Sequence, residues 1–292
     1  MGRIAKRVVA KLAGMSNSNI IDLSLHLDAK RDAEELIKSV KSVDKLIQKG
    51  YDPLHAVYIS TQNMVSLIAE GISTLPELRP YARIVGKAED EYMPDGPPFS
   101  PLTRSYFTSW AFFDVQFGPD METIGSCIKE LELILGLPAH MQDVIQMMTS
   151  SRMGIYEHCG HQGSLVLLRD VVDQKIYPCY PSSGYLGKKS QLWFVRLMPP
   201  FYEVADYHVV FTTPYVLLSQ KSEWESYFSR VIKKIQQPGP RSLSQSLELL
   251  FKQGLDVNYW NEYIFQAYSG AEHTVIYLAG MPDQPDSMPH SS

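Results

Sequence analysis

Apolar positions along the first third of the chain recur at helical spacing. Between Asp28 and Gly50, the residues Leu36, Val40, Val43, Leu46 and Ile47 fall three or four apart, which places them on one face of a helix. Asp28 suits the start of that helix and Gly50 its stop. The stretch DPLHAVYISTQNMVSLIAEGI predicts a second helix, with Pro53 in its first turn and Gly71 near its end. The short connection GYDP makes the two an antiparallel pair. Further on, PLTRSYFTSWAFFDVQFG lacks strict alternation and reads as a buried helix up to about Asp114. Two amphipathic helices follow, in DMETIGSCIKELELILGL and PAHMQDVIQMMTSS. Before them, RPYARIVGKAEDEYMPDGPPFSPLT packs five Pro and two Gly into residues 79–103 and reads as a long structured loop.

At Met153 the pattern shortens. MGIYEHC, SLVLLRDVV, KIYPCYP, QLWFVRLMP and YHVVFTTPYVLL are apolar segments of strand length, separated by turn signals such as GHQG and SSGYLGKKS. They predict an antiparallel five-stranded meander or small barrel. Helical pattern returns in SEWESYFSRVIKKIQ, SLSQSLELLFKQG and NYWNEYIFQAY, and HTVIYLAG reads as a late strand. The expected class is α+β, with N-terminal helices, a central β region and C-terminal helices. The expected divisions are an N-terminal arm over 1–27, a mainly helical region over 28–152, the β region over 153–220, C-terminal helices with a late strand over 221–280, and a disordered tail over 281–292.

Composition sharpens this picture only in part. With 292 residues, 45% of them hydrophobic and 20% charged, the chain can close a sizeable core. A net charge of −5 excludes a bulk-basic nucleic-acid binder but leaves room for a local basic face. Three cysteines argue against a disulfide framework and for a reducing, cytoplasmic compartment. No apolar run approaches the length of a transmembrane segment. The start, MGRIAKRVVAKLAG, carries Arg3, Lys6, Arg7 and Lys11 with no acid. It reads as a solvated, partly frayed arm, or else as a short surface helix against a partner or an anionic surface.

Four places carry chemistry-bearing residues. The first is GIYEHCGHQGS. On a regular strand Glu157, Cys159 and His161 share one face, and Tyr156 and His158 the other. His158, Cys159, His161 and an incoming Cys179 form a candidate metal set, and thiolate with imidazole suits zinc. The same residues also read as a plain hairpin, with Gly160 and Gly163 at positive φ and His161 at an exposed tip. A Cys159 or Cys179 nucleophile would need a histidine base within reach; Cys159 and His158 point apart on a strand. The second place is KAEDEYMPDG, where Glu89, Asp90, Glu91 and Asp95 can hold a divalent cation or simply be solvated. Asp95, with Arg104 and Tyr106, makes a candidate partner-contact surface. The third is the glycine-rich loop PSSGYLGKK, which offers Tyr185, Lys188 and Lys189 to an anion or a partner without the spacing of a phosphate-binding P-loop. The fourth adds Arg196, Trp193 and Phe194 to that loop as a surface for single-stranded nucleic acid.

No GxSxG, HExxH or dinucleotide fingerprint is present. The leading expectation is therefore a non-enzymatic regulatory, adaptor or scaffold protein, acting through a protein partner or a second copy. A zinc-dependent hydrolase using Glu157, His158, Cys159 and His161 is the first alternative. A nucleic-acid-binding protein using Lys188, Lys189 and Arg196 is the second.

Overall fold

A computed structural model describes residues 1–14, 43–94, 100–135, 137, 139–236 and 241–282. Residues 15–27 of the arm, residues 28–42 of the first predicted helix, Asp95 and the predicted tail from 283 on lie outside the described residues. Among the described residues no helix is long and apolar enough to cross a membrane. Internal contacts divide the chain into two compact units, Met1–Lys87 with Ala111–Ser150 and Glu203–Ala205, and Ala88–Trp110 with Ser151–Tyr202 and Asp206–Ser292.

The first unit is helical. The basic start forms a helix, α1 (Arg3–Gly14), rather than a frayed arm. It buries Ile4, Ala5 and Val8, and its N-terminus is held by an acid far along the chain. Phe117 and Glu122 exchange backbone hydrogen bonds across a tight turn. That turn presents the buried Glu122 carboxylate, which accepts from the Ile4 N–H at 2.8 Å and the Ala5 N–H at 2.9 Å. A Cβ on Gly2 would lie 2.1 Å from the Glu122 carboxyl carbon, so any larger residue there would have to displace the carboxylate that holds the helix start. α2 (Val43–Gln48) ends at Gly50, whose φ of +88° is the left-handed stop the sequence predicts. α3 (Pro53–Ile72) starts with the Asp52 side chain accepting from the His55 N–H at 3.0 Å.

A 3₁₀ turn (Pro76–Leu78) leads into α4 (Arg79–Tyr92), so the predicted long loop is helical over its first half. Pro80 sits in the first turn, where its missing N–H costs nothing. Tyr81, Ala88 and Tyr92 are buried at helical spacing. Glu89, Asp90 and Glu91 thus stand on a helix and not on a loop. α5 (Arg104–Phe113) is the predicted aromatic helix, and through Trp110 it belongs to the second unit. The next predicted helix is broken into α6 (Ile124–Lys129), opened by a Thr123–Ser126 capping box, and a short α7 (Glu132–Leu135). α8 (Ala139–Ser150) follows.

The second unit holds a closed five-stranded barrel. β1 (Met153–Gln162), β2 (Leu165–Asp170), β3 (Ile176–Pro181), β4 (Leu192–Met198) and β5 (His208–Val210) pair in the order β1-β2-β3-β5-β4, and β4 closes onto β1. The meander is mixed rather than wholly antiparallel, because β3 and β5 run parallel. The last predicted strand is two, since Phe211–Pro214 break it before β6 (Tyr215–Leu217). β6 extends the sheet to β8 (Val275–Leu278), the predicted late strand, and to β7 (Tyr268–Glu272). The barrel interior is filled by Tyr156, Val166, Leu168, Cys179, Trp193 and Val195 among others.

β4 pairs with β1 on one edge and with β5 and β6 on the other. Its outer face meets two C-terminal helices, α10 (Leu243–Gln253) and α11 (Tyr259–Ala267), and a third, α9 (Lys221–Gln236), packs on α10 through Phe228 and Phe251. There the Phe194 ring is 4.9 Å from Trp260, which stacks at 5.6 Å on Phe251. Burial on both faces explains why this strand reads as an apolar run without alternation, interrupted only by Arg196.

Removing the Glu122 carboxylate leaves two buried N–H groups without an acceptor. Glu122→Ala is expected to cost about 1–3 kcal/mol by chemical denaturation, with faster amide exchange at Ile4 and Ala5. Unchanged stability and exchange would contradict the assigned role.

Candidate functional site

The histidine–cysteine stretch does not follow regular alternation. Register against β2 slips between His158 and Gly160, so Cys159 is the extra residue of a β-bulge. Gly160 takes φ +124° in the bulge and Gly163 φ +61° at the hairpin tip. The slip carries His161 to the side of the sheet that His158 occupies, and the two rings lie 4.9 Å apart. The expected shared face for Glu157, Cys159 and His161 is thereby broken.

His158 is fully buried. The Gly160 N–H donates to its Nδ1 at 3.2 Å, and its Nε2–H donates to the Leu186 carbonyl at 3.0 Å. Both ring nitrogens are engaged, and the neutral Nε2–H form is fixed. Burial, reinforced by the neighbouring His161, lowers its pKa. Cys179 points into the barrel core, where burial pushes its thiol well above the ordinary value. Cys159 is half-buried, its thiol directed to the Glu157 carbonyl at 3.6 Å. Glu157 instead meets Lys221 at 2.8 Å and Arg169 at 3.6 Å. Among the described residues no three His, Cys, Asp or Glu side chains converge in a way that could hold a metal ion.

Arg196, expected at a surface, is fully buried on β4, where its Nη1 donates to the Ser151 hydroxyl at 3.2 Å. Trp193 and Phe194 are likewise internal, so neither offers an open ring to a base. Tyr106 is buried against Tyr215 with ring centroids 5.8 Å apart, which removes it from any contact surface. Arg104 is exposed at the start of α5.

What the structure does assemble is the β3–β4 loop, residues 182–191. Its hub is Gln191, a residue the sequence does not single out. The Gln191 Oε1 accepts from the Lys188 N–H at 2.8 Å, the Tyr185 hydroxyl at 3.1 Å and the Trp193 Nε1–H at 3.4 Å. Backbone bonds tie the base of the loop to β1: the His158 N–H donates to the Gln191 carbonyl, and the Ser190 N–H to the His158 carbonyl, each at 2.8 Å. Gly187 has φ +66°, and a Cβ there would lie 2.2 Å from Trp193 Cζ2. Outside this frame stand Lys188, Lys189 and the Leu186 side chain, the last 54% exposed. The paired glycines Gly184 and Gly187, followed by Gln and an apolar strand, are the sequence signal for such a loop. They do not reveal which amide organises it.

No protein-family model, curated protein or solved structure matches this chain.

Two outcomes test the site. Gly187→Ala must place a Cβ at a left-handed φ and against Trp193, whereas Gly184→Ala meets open space. The first should destabilise by more than the roughly 1–2 kcal/mol of left-handed strain alone, and the second by no more than that; equal losses would contradict the packing described. Titration gives the other. Burial pushes His208 down to about 4 and lowers His158 as well. The folded chain resists protons that the unfolded chain takes up near about 6.5. Their stabilisation is thus complete above that pH and lost as pH falls toward 4. Tm should fall across that window, and His208→Gln should reduce the fall; an identical profile in the variant would contradict it.

Proposed function

We propose that this chain is a non-catalytic regulatory, adaptor or scaffold protein that docks a protein partner through the β3–β4 loop of its barrel. One observation carries the reading. The backbone of Leu186 is held by a buried imidazole while its side chain stands in solvent. A loop fixed in this way loses little conformational entropy when it binds, so its exposed groups serve as ready contacts. An apolar side chain flanked by Lys188 and Lys189 fits an apolar socket rimmed by carboxylates. The engagement of both His158 nitrogens and the burial of Cys179 support a non-catalytic role for this end of the barrel.

Leu186→Glu with Lys188→Glu and Lys189→Glu reverses the chemistry of the loop without touching its frame. A partner retained by the wild-type chain and reconstituted from purified components should bind the triple variant at least tenfold more weakly, with the variant's Tm unchanged. Undiminished binding would sink the proposal. A stoichiometric transition metal in the purified chain, lost in Cys159→Ser, would favour the zinc hydrolase in its place.

A further inference from the structure

Because α4 is a helix, three cations that the sequence scatters over nine positions fall into a row. Arg79, Arg83 and Lys87 lie at successive i, i+4 positions and all three are exposed. The helical rise sets them about 6 Å apart along the axis. Three of the four basic residues of α1 differ, because acids of their own unit answer them. Arg3 pairs with Asp120 at 2.7 Å, Lys6 also acts on Asp120, and Lys11 meets Glu77 at 3.5 Å. Among the described residues no acid pairs with Arg79, Arg83 or Lys87. Helix stability does not explain the row either. Arg79 in the first turn of the helix, with Glu89, Asp90 and Glu91 in its last turn, runs against the macrodipole at both ends. Violations of local rules of this kind concentrate where a surface has another use.

We infer that the Arg79–Arg83–Lys87 row of α4 binds the phosphate backbone of a double-stranded nucleic acid without reading its sequence. The neighbours exposed on this helix, Pro80 and Ala82, are small. They give a protein partner no apolar core to bury and an unpaired base no ring to stack on. A duplex keeps its bases inside and its charges outside, and three cations in line can follow one strand. An anionic membrane is a plane and would meet Glu89, Asp90 and Glu91 on the same helix, whereas a rod-like polyanion can diverge from them. This inference is independent of the β3–β4 loop.

The test is the salt dependence of binding of the full chain to a DNA duplex of about 20 base pairs, starting at about 20 mM salt. Three phosphate contacts predict a log–log slope near −3, so a fourfold rise in salt lowers affinity about 40-fold. Arg79→Ala with Arg83→Ala and Lys87→Ala should flatten the slope to near zero with the fold intact by circular dichroism. Arg79→Lys with Arg83→Lys should keep the slope, as should Lys188→Ala with Lys189→Ala. The inference is overturned if the duplex does not bind at low salt, or if the triple alanine variant keeps the slope. It is equally overturned if the loop variant loses the slope, or if single strands, poly-glutamate or anionic vesicles bind better than the duplex.

Discussion

Strand β4 is hydrogen-bonded along both edges and buried on both faces, and the rest of its unit is arranged around that constraint. Pairing with β1 closes the barrel, and pairing with β5 and β6 carries the sheet outward to β8 and β7. Trp193, Val195 and Leu197 fill the interior, while Phe194 meets the aromatic wall of α10 and α11. A residue on such a strand has no route to solvent. That is why Arg196 serves the structure, its guanidinium held against Ser151, instead of serving a ligand.

The same constraint acts on β1. It must pair with β2 over one stretch and β4 over another, and the bulge at Cys159 lets a single strand do both. The bulge also decides the chemistry of the histidines. It brings His158 and His161 together yet leaves His158 with both nitrogens hydrogen-bonded, one to the bulge itself and one to the loop before β4. A residue set that reads as reactive in sequence becomes a fastening. Its effect is to hold Leu186, Lys188 and Lys189 outward on a stiff frame.

Much of the architecture is legible in local chemistry. Gly50, the Asp52–Pro53 helix start and the glycines of the hairpin announce themselves because each solves a backbone problem within a few residues. The strands of the barrel show as short apolar segments for the same reason. Closure does not show, since the parallel contact of β3 with β5 joins residues that share no local pattern. α4 is masked by the prolines that follow it, although Tyr81, Ala88 and Tyr92 carry a helical spacing. Reading it as a loop also hides its cationic row. The bulge defeats face assignment because one extra residue inverts the alternation that the assignment depends on. Gln191 escapes notice because a glutamine gains its role only from the three donors that tertiary structure brings to it.

On this account the fastening of the loop by His158 is the feature that separates a binding surface from a reactive centre. Its most direct test is the nitrogen-15 spectrum of the His158 imidazole at neutral pH, recorded with and without added zinc. The account predicts a neutral ring protonated at Nε2 and unprotonated at Nδ1, unmoved by the metal. A charged ring, the opposite tautomer, or a resonance that shifts when zinc is added would contradict it.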